Sequence, residues 1–255
     1  RTNSRRGRWG LVSTSTSRTS GWISRAVARC ADFQSGVQLG LRLRPRHAER
    51  LAIMAQLICG LGNGLLGRGS RHALGLRLLE LLAATHGLSW SLYPSVGAFV
   101  AVLDRPHSGV DRPVDPVYLV WPLLPYNVAG WSVAAAAQRF GIPAARVTVV
   151  HDDLDKQVGE LRWKYGGSAG GNNGVRSVVA SLRTDLFRRL RVGIGRPAAN
   201  EDQGRGGILA WVLGTLPDDD WEQIAAGWAE ATMQAALLQP PASEKTPRDD
   251  SAAAP

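Results

Sequence analysis

The chain has 255 residues, 44% hydrophobic and 20% charged, with a formal net charge of +9. That length supports one globular core of about 100 to 200 residues plus extensions, and no run of about 18 uninterrupted apolar residues offers a membrane span. Two cysteines, Cys30 and Cys59, exclude a disulfide framework and lack metal-ligand spacing.

The charge is unevenly placed. Residues 1–50 hold eleven Arg against Asp32 and Glu49 and so account for the whole net charge; the other 205 residues are balanced. Seven Arg precede Asp32, with Ser and Thr interleaved, which is the composition of an organelle transit peptide. The expectation is a disordered basic leader over 1–50 and a mitochondrial destination, with a cytoplasmic one as the alternative. A folded domain is expected over 51–239, and a disordered Pro-, Ala- and charge-rich tail over 240–255.

After residue 50, apolar runs of strand length alternate with helical patterns: Leu51 to Cys59, Leu74 to Thr85, Val96 to Leu103, Val117 to Trp121, Trp131 to Phe140 and Val147 to Val150. Leu161 to Lys164 reads as a strand, Gly174 to Leu182 as a helix and Leu190 to Ile194 as a strand. Asp218 to Leu238 reads as a closing helix with acids in its first turn. This alternation predicts a single α/β domain with a mixed, largely parallel central sheet flanked by helices on both faces.

Four features carry chemistry. Gly62, Gly64 and Gly67 match G-x-G-x-x-G after an apolar strand, but Arg68-Gly69-Ser70-Arg71-His72 interrupts, and the nearest suitable acid, Glu80, sits inside a helical pattern; dinucleotide binding is disfavoured. His72 lies at a helix start near Asn63 and can serve as general base if a carboxylate holds its tautomer; the plain reading is a solvent-exposed histidine. Asp152, Asp153 and Asp155 could bind a hard cation, or one of them could orient a base, and orientation without metal is preferred. Gly170-Gly171-Asn172-Asn173-Gly174 is either a flexible connection or a set of amides before a helix that favours carbonyls and anions. His47, His86, His107 and His151 read as structural or exposed. From Lys156 to Arg196, nine cations face two acids, which suits a polyanionic substrate.

Taken in order, six motifs resemble the bacterial-type peptidyl-tRNA hydrolases, including nuclear-encoded mitochondrial members. They are Gly60-Leu61-Gly62-Asn63, Ser70-Arg71-His72 with Gly75, Pro125-Tyr126-Asn127 with Gly130, His151 to Asp155, Gly170 to Gly174, and Phe187 to Pro197. The resemblance implies hydrolysis of the ester between a peptide and the 3′ ribose of tRNA, without metal or organic cofactor. It assigns His72 as base and Asp152 as its orienting carboxylate. Asn63, Asn127 and Asn173, with Tyr126 in the wall, would bind substrate, and Lys164, Arg176 and Arg191 would meet tRNA phosphates. Peptidyl-tRNA is the expected partner and the monomer the expected state. Departures are Gly64 for the usual Pro, a shortened segment before His72, Ala73 for Asn, Tyr126 for Met, and Asn172 for His beside Asn173. The competing function is a non-catalytic RNA-splicing adaptor on the same fold.

Overall fold

The structure, a computed structural model, describes residues 55–63, 67–104, 116–198 and 204–229. The leader, the tail, Cys30, Gly64, His47, His107 and the closing helix beyond Ala229 lie outside them.

Seven strands form one sheet in the order β2-β3-β4-β1-β5-β7-β6. They are β1 (Gln56–Gly60), β2 (Ser91–Tyr93), β3 (Ala98–Leu103), β4 (Val117–Pro122), β5 (Val147–Asp153), β6 (Leu161–Tyr165) and β7 (Arg188–Gly193). The central four, β4, β1, β5 and β7, run parallel; β3, β2 and β6 extend the sheet by antiparallel pairing. The two innermost strands, β1 and β5, are buried along their whole length. A strand covered on both faces needs no polar alternation, which is why these segments read as continuous apolar runs.

Helices α1 (Leu74–Thr85), α2 (Gly130–Phe140), α3 (Asn173–Leu182), α4 (Gly204–Leu213) and α5 (Asp218–Ala229) cover the two faces. One apolar cluster joins Val133, Ala136 and Ala137 of α2 and Val175 and Val178 of α3 to the sheet. The other joins Leu74, Leu78, Leu79 and Leu82 of α1 to Ile224 and Trp228 of α5. Strand β1 lies between β4 and β5, with α1 after it on one face and α2 before β5 on the other. Such a switch opens a crevice at the carboxyl ends of the strands.

Two glycines set how closely the helices approach. A Cβ on Gly75 would lie 2.3 Å from the Val150 carbonyl oxygen and 2.7 Å from Leu61. Helix α1 therefore rests directly on the ends of β1 and β5, which brings its amino end over the start of the acidic motif. A Cβ on Gly130 would come 2.2 Å from the Ser177 carbonyl oxygen, so α2 and α3 touch backbone to backbone.

The predicted architecture is observed, with local differences. Strand β5 runs three residues beyond Val150, so His151, Asp152 and Asp153 belong to it. Backbone pairing with the parallel strand β7 carries it past the end of the apolar run. Strand β2 and helix α4 lacked a legible pattern: β2 is three residues long and mostly exposed, and α4 shows apolar residues on several sides. After β1 the next regular element is a single 3-10 turn at Arg71–Ala73, so the dinucleotide context is not formed by the described residues.

Candidate active site

The crevice collects chemistry from four strand or helix ends. Asn63 follows β1, Tyr126 and Asn127 follow β4, Asp152 is the penultimate residue of β5, and Asn172 and Asn173 open α3. His72 stands in the 3-10 turn before α1. That turn is tied to the carboxyl end of α4: Arg71 N–H donates to the Gly214 carbonyl at 3.0 Å, Leu216 N–H to that of Gly69 at 3.0 Å, and Ser70 bridges Thr215. The Arg71 guanidinium also lies 3.7 Å from the Trp211 ring centroid. Several contacts therefore hold the His72 backbone.

His72 Nδ1 is 2.9 Å from Asp152 Oδ2. An ionised carboxylate only accepts, so Nδ1 is the donor in this contact, and the tautomer it selects is the one that leaves the lone pair on Nε2. The His72 side chain is 16% exposed and that of Asp152 3%. Burial alone would push the Asp152 carboxyl up. The hydrogen bond and charge of His72, with the Tyr126 hydroxyl, outweigh that and hold it below the ordinary carboxylate value.

Tyr126 meets both members of this pair. Its hydroxyl donates to Asp152 Oδ1 at 2.8 Å, and its ring stacks on His72 with centroids 3.5 Å apart and planes 20° apart. Asn172 Nδ2 donates to the Tyr126 hydroxyl at 2.8 Å and to the Asp152 carbonyl at 3.3 Å, while its Oδ1 accepts Val175 N–H as the amino-terminal cap of α3. Burial, then the nearby Asp152 charge, pushes the Tyr126 phenol well above its usual value, so it remains a donor. His151 is buried and donates from Nδ1 to the Asp152 carbonyl at 2.8 Å; burial lowers its pKa and keeps it neutral.

Of the residues singled out in the sequence, His72, Asp152, Asn63 and Tyr126 come together. Asn63 Oδ1 accepts Tyr126 N–H at 3.2 Å, which orients its amide so that Nδ2 is the group left to donate. Asn127 and Asn173 are exposed near the same strand and helix ends, and Asn173 Oδ1 accepts from Arg176. Sequence reasoning missed the Tyr126 hydroxyl and Asn172 as partners of Asp152. The two departures from the usual Met and His touch each other, and their pairing was the available signal.

The basic stretch separates into paired and unpaired cations. Arg191 bonds Asp153, Arg196 bonds Asp155, and Lys156 and Arg162 meet Glu160 at 3.5 and 2.7 Å. Buried Arg189 holds the glycine loop through the Gly167 and Ser168 carbonyls. Lys164, Arg176 and Arg183 have no carboxylate partner among the described residues. Arg176 and Arg183 line an open depression of about 530 Å³ with Gly167, Ser168 and Asp185, to which His72, Asp152 and Tyr126 do not contribute. Among the described residues no three His, Cys, Asp or Glu side chains converge as a metal site, and no helix is long and apolar enough to cross a membrane.

The sequence model of the peptidyl-tRNA hydrolase family matches residues 57–246. The chain belongs to the peptidyl-tRNA hydrolase family. It is similar to the peptidyl-tRNA hydrolase of Symbiobacterium thermophilum, 40% identical over 185 residues that span 70% of this chain and 89% of that protein. It is also similar to the Mycobacterium tuberculosis enzyme, 39% identical over 147 residues, or 57% of this chain and 73% of its relative. The crystal structure of peptidyl-tRNA hydrolase from Acinetobacter baumannii superposes with a TM-score of 0.61 at 29% identity, covering 72% of this chain and 88% of that one. Family and fold therefore agree with the architecture and with the ordered motifs.

Proposed function

We propose that this family member hydrolyses the ester joining a peptide, or an N-blocked amino acid, to the 3′ ribose of tRNA, and that His72 is the general base. The observation that carries this reading is the His72 Nδ1 to Asp152 Oδ2 hydrogen bond, because it leaves the Nε2 lone pair available in the crevice.

His72 Nε2 takes a proton from water as the water oxygen attacks the ester carbonyl carbon. The tetrahedral species collapses, the bond from that carbon to the ribose oxygen breaks, and the imidazolium returns the proton to that oxygen. The products are tRNA with a free 3′ hydroxyl and a peptide carboxylic acid, which releases the remaining proton of the water to solvent and leaves as the carboxylate. Asp152 fixes the tautomer and stabilises the transient imidazolium. Amide donors from Asn63, Asn127 and Asn173 suit the peptide backbone and the charge that develops on the attacked carbonyl oxygen. Lys164 and Arg176 supply sequence-independent attraction for tRNA phosphates; Arg191 joins them more weakly, since Asp153 already neutralises it. The Arg-rich composition of residues 1–50 supports delivery to mitochondria, and the catalytic unit acts as a monomer.

Incubation with N-acetyl-aminoacyl-tRNA in ¹⁸O-labelled water tests the reaction. The proposal expects one ¹⁸O in the released acid, EDTA-resistant turnover, and tRNA that can be charged again. Binding of the tRNA with no release of acid would overturn it.

A further inference from the structure

We propose that Tyr126, held by Asn172, is a positioning residue for the His72–Asp152 pair, its hydroxyl fixing the second oxygen of Asp152 and its ring seating the imidazole. This rests on the hydrolase reading for its consequence in turnover and on the geometry alone for its effect on His72.

Asp152 lies at the end of a strand, where its side chain could rotate about Cα–Cβ and Cβ–Cγ. One hydrogen bond to His72 would leave the carboxylate able to swing with the ring. The Tyr126 hydroxyl removes that freedom by donating to Oδ1 at 2.8 Å while His72 occupies Oδ2 at 2.9 Å. A phenol has one proton and two acceptor lone pairs. Asn172 Nδ2 fills an acceptor position at 2.8 Å, which directs the single phenol proton to Asp152. The Asn172 amide is itself committed, because its Oδ1 caps α3 through Val175 N–H. The helix start, the phenol, the carboxylate and the imidazole thus form one chain of fixed donors and acceptors.

The ring contributes separately. It covers one face of the His72 imidazole, so water and substrate can reach Nε2 only from the edge or the opposite face. The ring also lies against Gly174: a Cβ there would come 2.4 Å from Tyr126 Cε1 and 2.9 Å from Leu61 Cδ1. Tyr126 is buried and its backbone N–H is bound to Asn63, so the phenol cannot swing out to act as a substrate ligand. Its place in the peptide-binding wall, expected from the sequence, gives way to a role behind the base.

Tyr126→Phe keeps the stack and deletes the hydroxyl. Asn172→Asp keeps the helix cap but offers a carboxylate that competes with Asp152 for the phenol proton. Each should lower kcat about tenfold, the scale of one hydrogen bond to a charged group, with KM for N-acetyl-aminoacyl-tRNA within about twofold of wild type. The double variant should be no slower than the slower single one, because both changes cut the same link. In ¹⁵N-histidine-labelled protein without substrate, the His72 Nδ1 proton should be protected from exchange in wild type and exchange faster in Tyr126→Phe. A rise in KM with unchanged kcat would return Tyr126 to substrate binding, and multiplicative losses in the double variant would dissolve the relay. An unchanged Nδ1 proton in Tyr126→Phe would overturn the proposal even if wild type showed no turnover, an outcome that would otherwise count against the hydrolase reading alone.

Discussion

Consecutive residues at the end of β5 serve two regions built on different terms. Asp152 points into the crevice, where His72 and Tyr126 take both of its oxygens; Asp153 points to the other side and pairs with Arg191 on β7. Strand alternation produces the split, since neighbouring side chains leave opposite faces. Around Asp152 the polar groups are few, and the carboxylate itself is buried with both oxygens committed to partners. On the basic rim they are many, but several cations are already neutralised within the protein. A charge count along the sequence therefore overstates what the rim can offer to a polyanion, while three acids within four residues understate how specialised one of them is.

The largest expected effects break the crevice side of this comparison. Asp152→Asn should cost about a thousandfold in kcat, because an amide facing Nδ1 can donate and so favours the wrong imidazole tautomer. Asp152→Ala should cost about a hundredfold, since it removes orientation without opposing it. Steady-state turnover of N-acetyl-aminoacyl-tRNA by the two variants decides this, and an Asn variant faster than the Ala variant would contradict the tautomer argument.

Effects on the rim should be smaller and of another kind. Lys164→Ala and Arg176→Ala should each raise KM by about three- to tenfold with kcat unchanged, and each should reduce the slope of log KM against log salt by about one. Arg191→Ala should change KM less than either. It should instead lower the thermal midpoint, because Asp153 loses the cation it bonds while remaining mostly buried. A KM effect of Arg191→Ala larger than that of Arg176→Ala would show that its pairing with Asp153 yields to tRNA.

The smallest expected effect is on stability against pH. Asp152 is held below the ordinary carboxylate value in the folded protein. Its contribution is thus fully present above the unfolded value and is lost as pH falls through the native one. Acidification should lower the melting temperature of wild type more steeply than that of Asp152→Asn. Parallel curves would mean that the carboxylate adds nothing to folding through its ionised form.

Much of this arrangement was legible in the sequence, for physical reasons. The alternation of apolar strand runs with helical patterns predicted a sheet covered by helices on both faces, whereas the close approach of α1 at Gly75 emerges only from the packing. His72 and Asp152 could be nominated as base and orienter, one at a helix start and the other at a strand end. Their 2.9 Å contact depends on parallel pairing of β1 with β5, which local periodicity does not encode. The Tyr126 hydroxyl escaped notice because an aromatic residue in that motif reads as wall, and Asn172 because it read as one of a set of amides before a helix, with Asn173 taken as the one that binds. Asn172 is a cap, but its second group works elsewhere. The pairing of Arg191 with Asp153 was hidden for the same reason, since it joins residues 38 apart across two strands.

Single-turnover cleavage of N-acetyl-aminoacyl-tRNA by His72→Ala, with tRNA binding measured on the same samples, tests the central claim most directly. The account predicts binding within about twofold of wild type and a rate lowered by about four orders of magnitude, the upper range for loss of a general base. Cleavage at the wild-type rate would show that water is activated by another group and would remove His72 from the chemistry.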